Sequence, residues 1–190
     1  YAKWNNETYT ELMRNLKVGP KKKSARMSCG KRSQVALWLI LAQNADVRVL
    51  DDCSIGLDPG YRRLFTEYQR EYAKAEEKTI FLTSHIIQDM ERLVDDCIIM
   101  DYGRILIQKP VKELLDTFTR YTFKTSSPDK LPHDPSLYST AAIRDSAETY
   151  SFENEECIKR ILQEQSIPYT DFKSEKMNLE DVFIGLTGKY

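Results

Sequence analysis

Long apolar runs are missing from this chain. The longest, Val35 to Ala42, falls far short of the roughly 20 residues that cross a bilayer, so no segment is expected to span a membrane. The opening residues, Tyr-Ala-Lys-Trp-Asn, carry no charged head, apolar centre or small-residue cleavage site, and no signal peptide is expected there. Cysteine is sparse. Cys29, Cys53, Cys97 and Cys157 are widely spaced, form no Cys-x-x-Cys pair, and read as reduced cytosolic thiols. Neither sign of charge prevails, since 28 Lys and Arg face 29 Asp and Glu; a bulk attraction to nucleic acid or anionic lipid is not expected. Lys21-Lys22-Lys23 is the exception, and a short basic cluster reads first as a solvated loop. No internal repeat or low-complexity tract occurs. Also absent is any Gly-x-x-x-x-Gly-Lys-Ser/Thr run, the loop whose backbone amides cradle phosphates. What remains is a chain of 190 residues with ordinary globular fractions of apolar, aromatic and charged residues, enough for one domain or one with a small appendage.

The stretch from Val47 to Pro59, Val-Arg-Val-Leu-Asp-Asp-Cys-Ser-Ile-Gly-Leu-Asp-Pro, organises the rest. β-Branched and apolar residues supply a short buried strand, and two carboxylates, Asp51 and Asp52, sit where it runs out. In open parallel sheets ligands bind beyond the carboxyl ends of the strands, so this pair is expected to face a site. An acidic pair alone can also begin a turn or cap a helix. Upstream, Tyr9, Leu12, Met13 and Leu16 make one stripe of a helix from Asn5 to Leu16, ended by Gly19 and Pro20. Ser28 can cap a second, strongly apolar helix through Gln43, with Gly30 allowing close backbone approach. The N–H groups at that helix start are a phosphate site in outline. Downstream, Pro59 to Glu76 reads as a helix with Tyr61, Leu64, Phe65, Tyr68 and Tyr72 on one face. Lys78 to Thr83 reads as a second buried strand, making a parallel crossover unit. His85 follows at the same end as the acidic pair, where an imidazole can hydrogen-bond a terminal phosphate.

Three elements in this order resemble the ATP-binding cassette (ABC) ATPases. Asp51-Asp52 with Gly56-Leu57-Asp58-Pro59 is similar to the Walker B motif and D-loop of that family. Met27-Ser28-Cys29-Gly30-Lys31 resembles its signature Leu-Ser-Gly-Gly-Gln, with Cys29 and Lys31 as departures, and Thr83-Ser84-His85 resembles its switch histidine. The resemblance implies an α/β, P-loop NTPase-like fold with a mainly parallel sheet, ATP and Mg²⁺ as ligands, and ATP hydrolysis coupled to a membrane permease. Asp51 would hold the magnesium, and Asp52 would stand for the catalytic glutamate beside His85. Ser28 and Gly30 would meet the nucleotide of a second cassette, and Asp58 would contact that subunit. Asp52 is shorter than glutamate by roughly one bond, about 1.5 Å, and a misplacement of about 1 Å can cost roughly a hundredfold in rate. A degenerate, regulatory nucleotide-binding cassette is therefore the alternative, and a plain α/β interaction domain the third reading. The implied location is cytoplasmic, at the inner face of the cell membrane through a permease.

The missing phosphate loop lies N-terminal to the signature in that family. The expectation is thus the C-terminal part of a longer, incomplete cassette, in which a strand edge or core face should lie bare. Residues 1–118 are assigned to the cassette, with a helical part at 1–46 and the Walker B to switch-histidine region at 47–118. Within it Ile86 to Leu93 reads as a helix, and Cys97 to Asp101 and Arg104 to Gln108 as strands joined at Tyr102-Gly103. A helix from Lys109 to Phe118 closes this part. Residues 119–190 form a small α+β appendage, with strands at Tyr121 to Lys124, Thr149 to Phe152 and Tyr169 to Phe172 and helices at Glu153 to Gln165 and Asn178 to Leu186. The run Leu179-Glu-Asp-Val-Phe resembles the tail of cassettes that serve ABC-2-type exporters.

Overall fold

The structure is a computed structural model that describes residues 4–15, 25, 27–127 and 129–188. The expected helix end at Leu16, the breakers Gly19 and Pro20, and the basic cluster 21–23 lie outside the described residues. Two compact units make up the chain, Tyr1–Leu93 and Val94–Tyr190. The boundary expected at 118/119 falls inside the second unit, immediately before the strand that opens its four-stranded sheet.

Helix α1 (Asn6–Asn15) opens the first unit, with Glu7 in its first turn and Arg14 in its last, each opposite in sign to the dipole end it faces. The apolar run forms α2 (Cys29–Ala42), whose N-cap is Ser28. Strand β1 (Val47–Asp51), helix α3 (Pro59–Ala75) and strand β2 (Thr79–Thr83) follow as a crossover unit. The two strands pair in parallel, from Val47 opposite Thr79 to Asp51 opposite Thr83. Asp58 caps α3 and Pro59 takes its first turn, where a missing N–H costs nothing. Helix α4 (Ile87–Leu93) completes the unit.

Leu37, Trp38 and Leu41 of α2, Leu50 of β1, Leu57, and Phe65 of α3 make its core. Trp38 stands at the centre, its ring 6.2 Å from Phe65 and 5.8 Å from Tyr68. Two expectations change here. The strands are covered on one face only: Leu50 is buried, while Val49 is 72% and Phe81 54% exposed. The apolar run thus gives one packed face and one bare face, as expected where a core face lacks a cover. On α3, Leu64 lies exposed and Gln69 is buried with Phe65, because Gln69 serves a buried cation on β1.

The second unit starts with a hairpin of β3 (Asp96–Asp101) and β4 (Arg104–Pro110), paired antiparallel. Its two-residue turn, Tyr102-Gly103, has positive φ at both positions (42° and 73°), the twist that matches the flanking strands. Helix α5 (Val111–Thr117) is shorter than expected, because β4 runs on through Pro110. There follow β5 (Thr119–Lys124), β6 (Leu137–Ile143), β7 (Ser146–Ser151), α6 (Glu155–Glu164), β8 (Thr170–Glu175) and α7 (Leu179–Thr187). The strands form an antiparallel sheet in the order β6-β7-β5-β8. Strand β6 has no counterpart in the sequence reading. Ile158, Ile161 and Leu162 of α6 are buried in the core, among Tyr121, Phe123 and Ala147 of the sheet. Asn154 and Asn178 cap α6 and α7 through their side-chain oxygens. No helix among the described residues is long and apolar enough to cross a membrane.

Candidate functional site

The parallel register brings the ends of β1 and β2 level, and three of the expected residues meet there. Thr83 stands opposite Asp51 and donates its hydroxyl hydrogen to Asp51 Oδ1. The next residue, Asp52, leaves the strand with φ +42°. Its backbone N–H is held by Thr83, whose carbonyl and hydroxyl oxygens both lie at 3.1 Å. The Asp52 side chain turns to the loop after β2. Its Oδ1 accepts the His85 N–H at 3.2 Å and lies 2.8 Å from His85 Nδ1. With the carboxylate ionised, Nδ1 carries the hydrogen, so Nε2 is left as an acceptor in the neutral ring and a donor in the cation. Both side chains are substantially exposed, 64% for His85 and 39% for Asp52. Such a pair adds at most about 1 kcal/mol to stability, so what it fixes is geometry.

The other expected residues lie on the same unit but are occupied locally. Ser28 Oγ accepts the Lys31 N–H at 3.4 Å, the capping bond that leaves the neighbouring amides of α2 facing outward. Gly30 packs against the loop after β1: a Cβ at this position would stand 3.1 Å from the carbonyl oxygen of Gly56, which has φ +78°. Asp58 is committed to its own helix, accepting the Tyr61 N–H at 3.1 Å. The structure therefore joins Asp51, Asp52 and His85 in one cluster, and seats the start of α2 against the loop that leaves that cluster. Between them lies Cys53, free and half-buried; burial pushes its thiol up to about 11, and the Asp52 charge adds to this.

Two residues carry no role of their own in the sequence reading. Thr83 ties the carboxylate pair to β2, and the signal for it was register, since it is the parallel partner of Asp51. Arg48 points inward beside Leu50 and is 3% exposed. Strict alternation along Val47-Arg48-Val49-Leu50 puts it on the Leu50 face, where a charge is unusual.

Asp51 and Asp52 are hard oxygen donors. No group of three or more His, Cys, Asp or Glu among the described residues could hold a metal by itself. The donor set suits magnesium, which takes one or two carboxylates and completes its shell with waters and substrate phosphates.

A parallel crossover unit with carboxylates and an imidazole at the carboxyl ends of its strands has the layout of nucleotide-handling α/β folds. Comparison with known proteins narrows this. The chain is 30% identical over 171 residues to the Nod factor export ATP-binding protein I of Ralstonia nicotianae, a match covering 86% of this chain and 53% of that protein. It is 37% identical over 89 residues to the energy-coupling factor transporter ATP-binding protein EcfA2 of Staphylococcus aureus, covering 47% of this chain and 31% of the relative. For the thiamine import ATP-binding protein ThiQ of Jannaschia the identity is 32% over 92 residues, covering 48% and 40%. Among solved structures, a putative cobalt transport ATP-binding protein aligns with a TM-score of 0.51 at 20% identity, covering 80% of this chain and 54% of that one. The ATP-binding subunit of an ABC transporter aligns with a TM-score of 0.51 at 22% identity, covering 59% and 49%. No family model matches the chain. The chain is a homologue of the ATP-binding subunits of ABC transporters and shares their α/β fold. It spans about half the length, or less, of the curated relatives it matches.

Proposed function

We propose that this chain carries the hydrolytic side of an ABC-transporter ATP-binding subunit, which couples ATP binding and hydrolysis to a membrane permease. The observation that carries the reading is the cluster at the ends of β1 and β2, where Asp51, Thr83, Asp52 and His85 are linked by hydrogen bonds. Asp51, oriented by Thr83, is the residue to hold Mg²⁺. When bound, that ion neutralises phosphate charge and orients the terminal phosphate. Asp52 orients the attacking water and takes up its proton through the oxygen that His85 leaves free, and His85, as the cation steadied by Asp52, donates its Nε2–H to the phosphate. The Ser28 hydroxyl, which can donate while it accepts from Lys31, and the backbone N–H groups of Ser28 and Gly30 at the start of α2 meet the nucleotide of a second cassette, homologous or identical, with Asp58 in the loop that meets it. On this reading the phosphate-cradling loop comes from outside these residues, and the protein works at the inner face of the cell membrane, held by its permease.

A specific observation also favours the regulatory alternative. Asp52 Oδ1 is taken twice by His85, which leaves a short acid with one free oxygen for water. ATPase rates of the protein as its gene encodes it, with Asp52→Glu and His85→Ala, separate the two. Slow catalysis predicts a faster Asp52→Glu and a His85→Ala slower by at least tenfold. No rate in any of the three despite nucleotide binding leaves the regulatory reading, and no protection from unfolding by nucleotide sinks both.

A further inference from the structure

Arg48 is the least expected group in the first unit. It sits in the strand that ends in the carboxylate pair, at a position whose neighbours on the same face are apolar, and it is 3% exposed. Its partners are neutral. Nη1 donates to Gln69 Oε1 of α3 at 3.1 Å, Nη2 donates to the Leu41 carbonyl in the last turn of α2 at 3.3 Å, and the guanidinium lies 4.0 Å from the Tyr72 ring centroid. Tyr72 in turn donates to the Asn44 side chain, in the connection between α2 and β1. Neither Arg48 Nε nor Gln69 Nε2 has a hydrogen-bond partner. Burial holds the guanidinium below its ordinary pKa, against the nearby Tyr72 and Tyr68. A buried cation without a carboxylate is expensive, and an apolar residue of similar volume is often neutral or stabilising in its place.

Stability therefore does not account for Arg48, but geometry does. The cation stands at the negative end of the α2 dipole and joins that end to β1 and α3 at once. At its other end α2 is pressed against the loop after β1 through Gly30 and Gly56. We propose that Arg48 is a positioning residue: it pins the far end of α2 to the strand that bears the acidic pair, so that the helix start at Ser28 and the carboxylates Asp51 and Asp52 keep one fixed separation. The proposal rests on the functional reading above, in which those two groups serve opposite nucleotides. With 14 residues, α2 is about 20 Å long, and a tilt of about 3° moves its end by about 1 Å, the scale on which rates fall roughly a hundredfold.

The test uses the protein as its gene encodes it, with Arg48→Met, Arg48→Lys and, as a control, Ser28→Ala. Without nucleotide, amide hydrogen exchange in the last turn of α2 rises at least tenfold in Arg48→Met while α6 is unchanged, and the unfolding midpoint holds. With ATP, kcat falls at least tenfold at a KM within twofold, and Arg48→Lys, which keeps a cation at the Leu41 carbonyl, recovers part of the loss. If Arg48→Met does not fold, Gln69→Met, which removes one arm, carries the same expectation of lower kcat at unchanged midpoint. A kcat within twofold of the parent beside a slow Ser28→Ala overturns the proposal, as does a kcat loss that only tracks a falling midpoint. An unchanged kcat in Ser28→Ala as well overturns the functional reading beneath it.

Discussion

Phe118 and Phe81 are the same side chain in two settings. Phe118, in the second unit, is fully buried among the rings of Tyr138, Tyr150 and Phe152, with centroids 5.4, 6.2 and 4.6 Å away. Phe81, in the first unit, stands opposite Val49 on the uncovered face of the parallel pair and is more than half exposed. The second unit wraps a helix and an aromatic cluster around its own sheet. The first packs α2 and α3 on one side of two strands and leaves the other side open, and it is the unit that carries the acidic pair and the imidazole. Cohesion and candidate chemistry are thus unevenly shared: the candidate residues sit on the thinner layer.

That contrast can be broken by substitution, read as urea unfolding of the chain followed by circular dichroism. The largest effect is expected from Phe118→Ala, at about 3–5 kcal/mol of lost stability, the range for a buried aromatic cut back to alanine. A loss under about 1.5 kcal/mol would mean that the second unit's core is no tighter than the first's. Next is Gly185→Ala. An added Cβ would stand 2.5 Å from the Tyr150 ring, so α7 or the ring must shift at a cost of about 1–3 kcal/mol. The smallest belongs to Val49→Thr on the bare face, within about 0.5 kcal/mol of the parent. A loss above 1 kcal/mol there, on the scale of a core change, would show that Val49 is covered and the contrast false.

Much of this architecture was legible because its signals are local. Tyr61, Phe65 and Tyr68 announce α3 by spacing alone. Ser28 announces α2 as a cap, and a strand ending in two carboxylates followed by a second strand ending near His85 predicts that they share an end. What escaped depends on partners far along the chain. A continuous apolar run cannot tell a strand buried on both faces from one buried on a single face, so it predicts Val47 and Val49 in the core. Arg48 was passed over because its place is set by Gln69, 21 residues on. Strand β6 hides for a similar reason: it departs from regular extension at Ser139 (φ +42°), its register with β7 shifts between Tyr138 and Ala141, and its small residues alternate weakly. Only pairing with β7 makes it a strand.

The left-handed turn at Asp52 (φ +42°) ties the reach of the acid to the hand of the backbone. Aspartate tolerates this conformation because its short side chain can bond locally, whereas longer side chains adopt it at a cost of about 1–2 kcal/mol. A longer acid is possible at this corner at that cost, as Glu77 shows at φ +51°. The short acid and the tight bend that bears it are therefore coupled: at this corner, reach toward a ligand is gained against backbone ease.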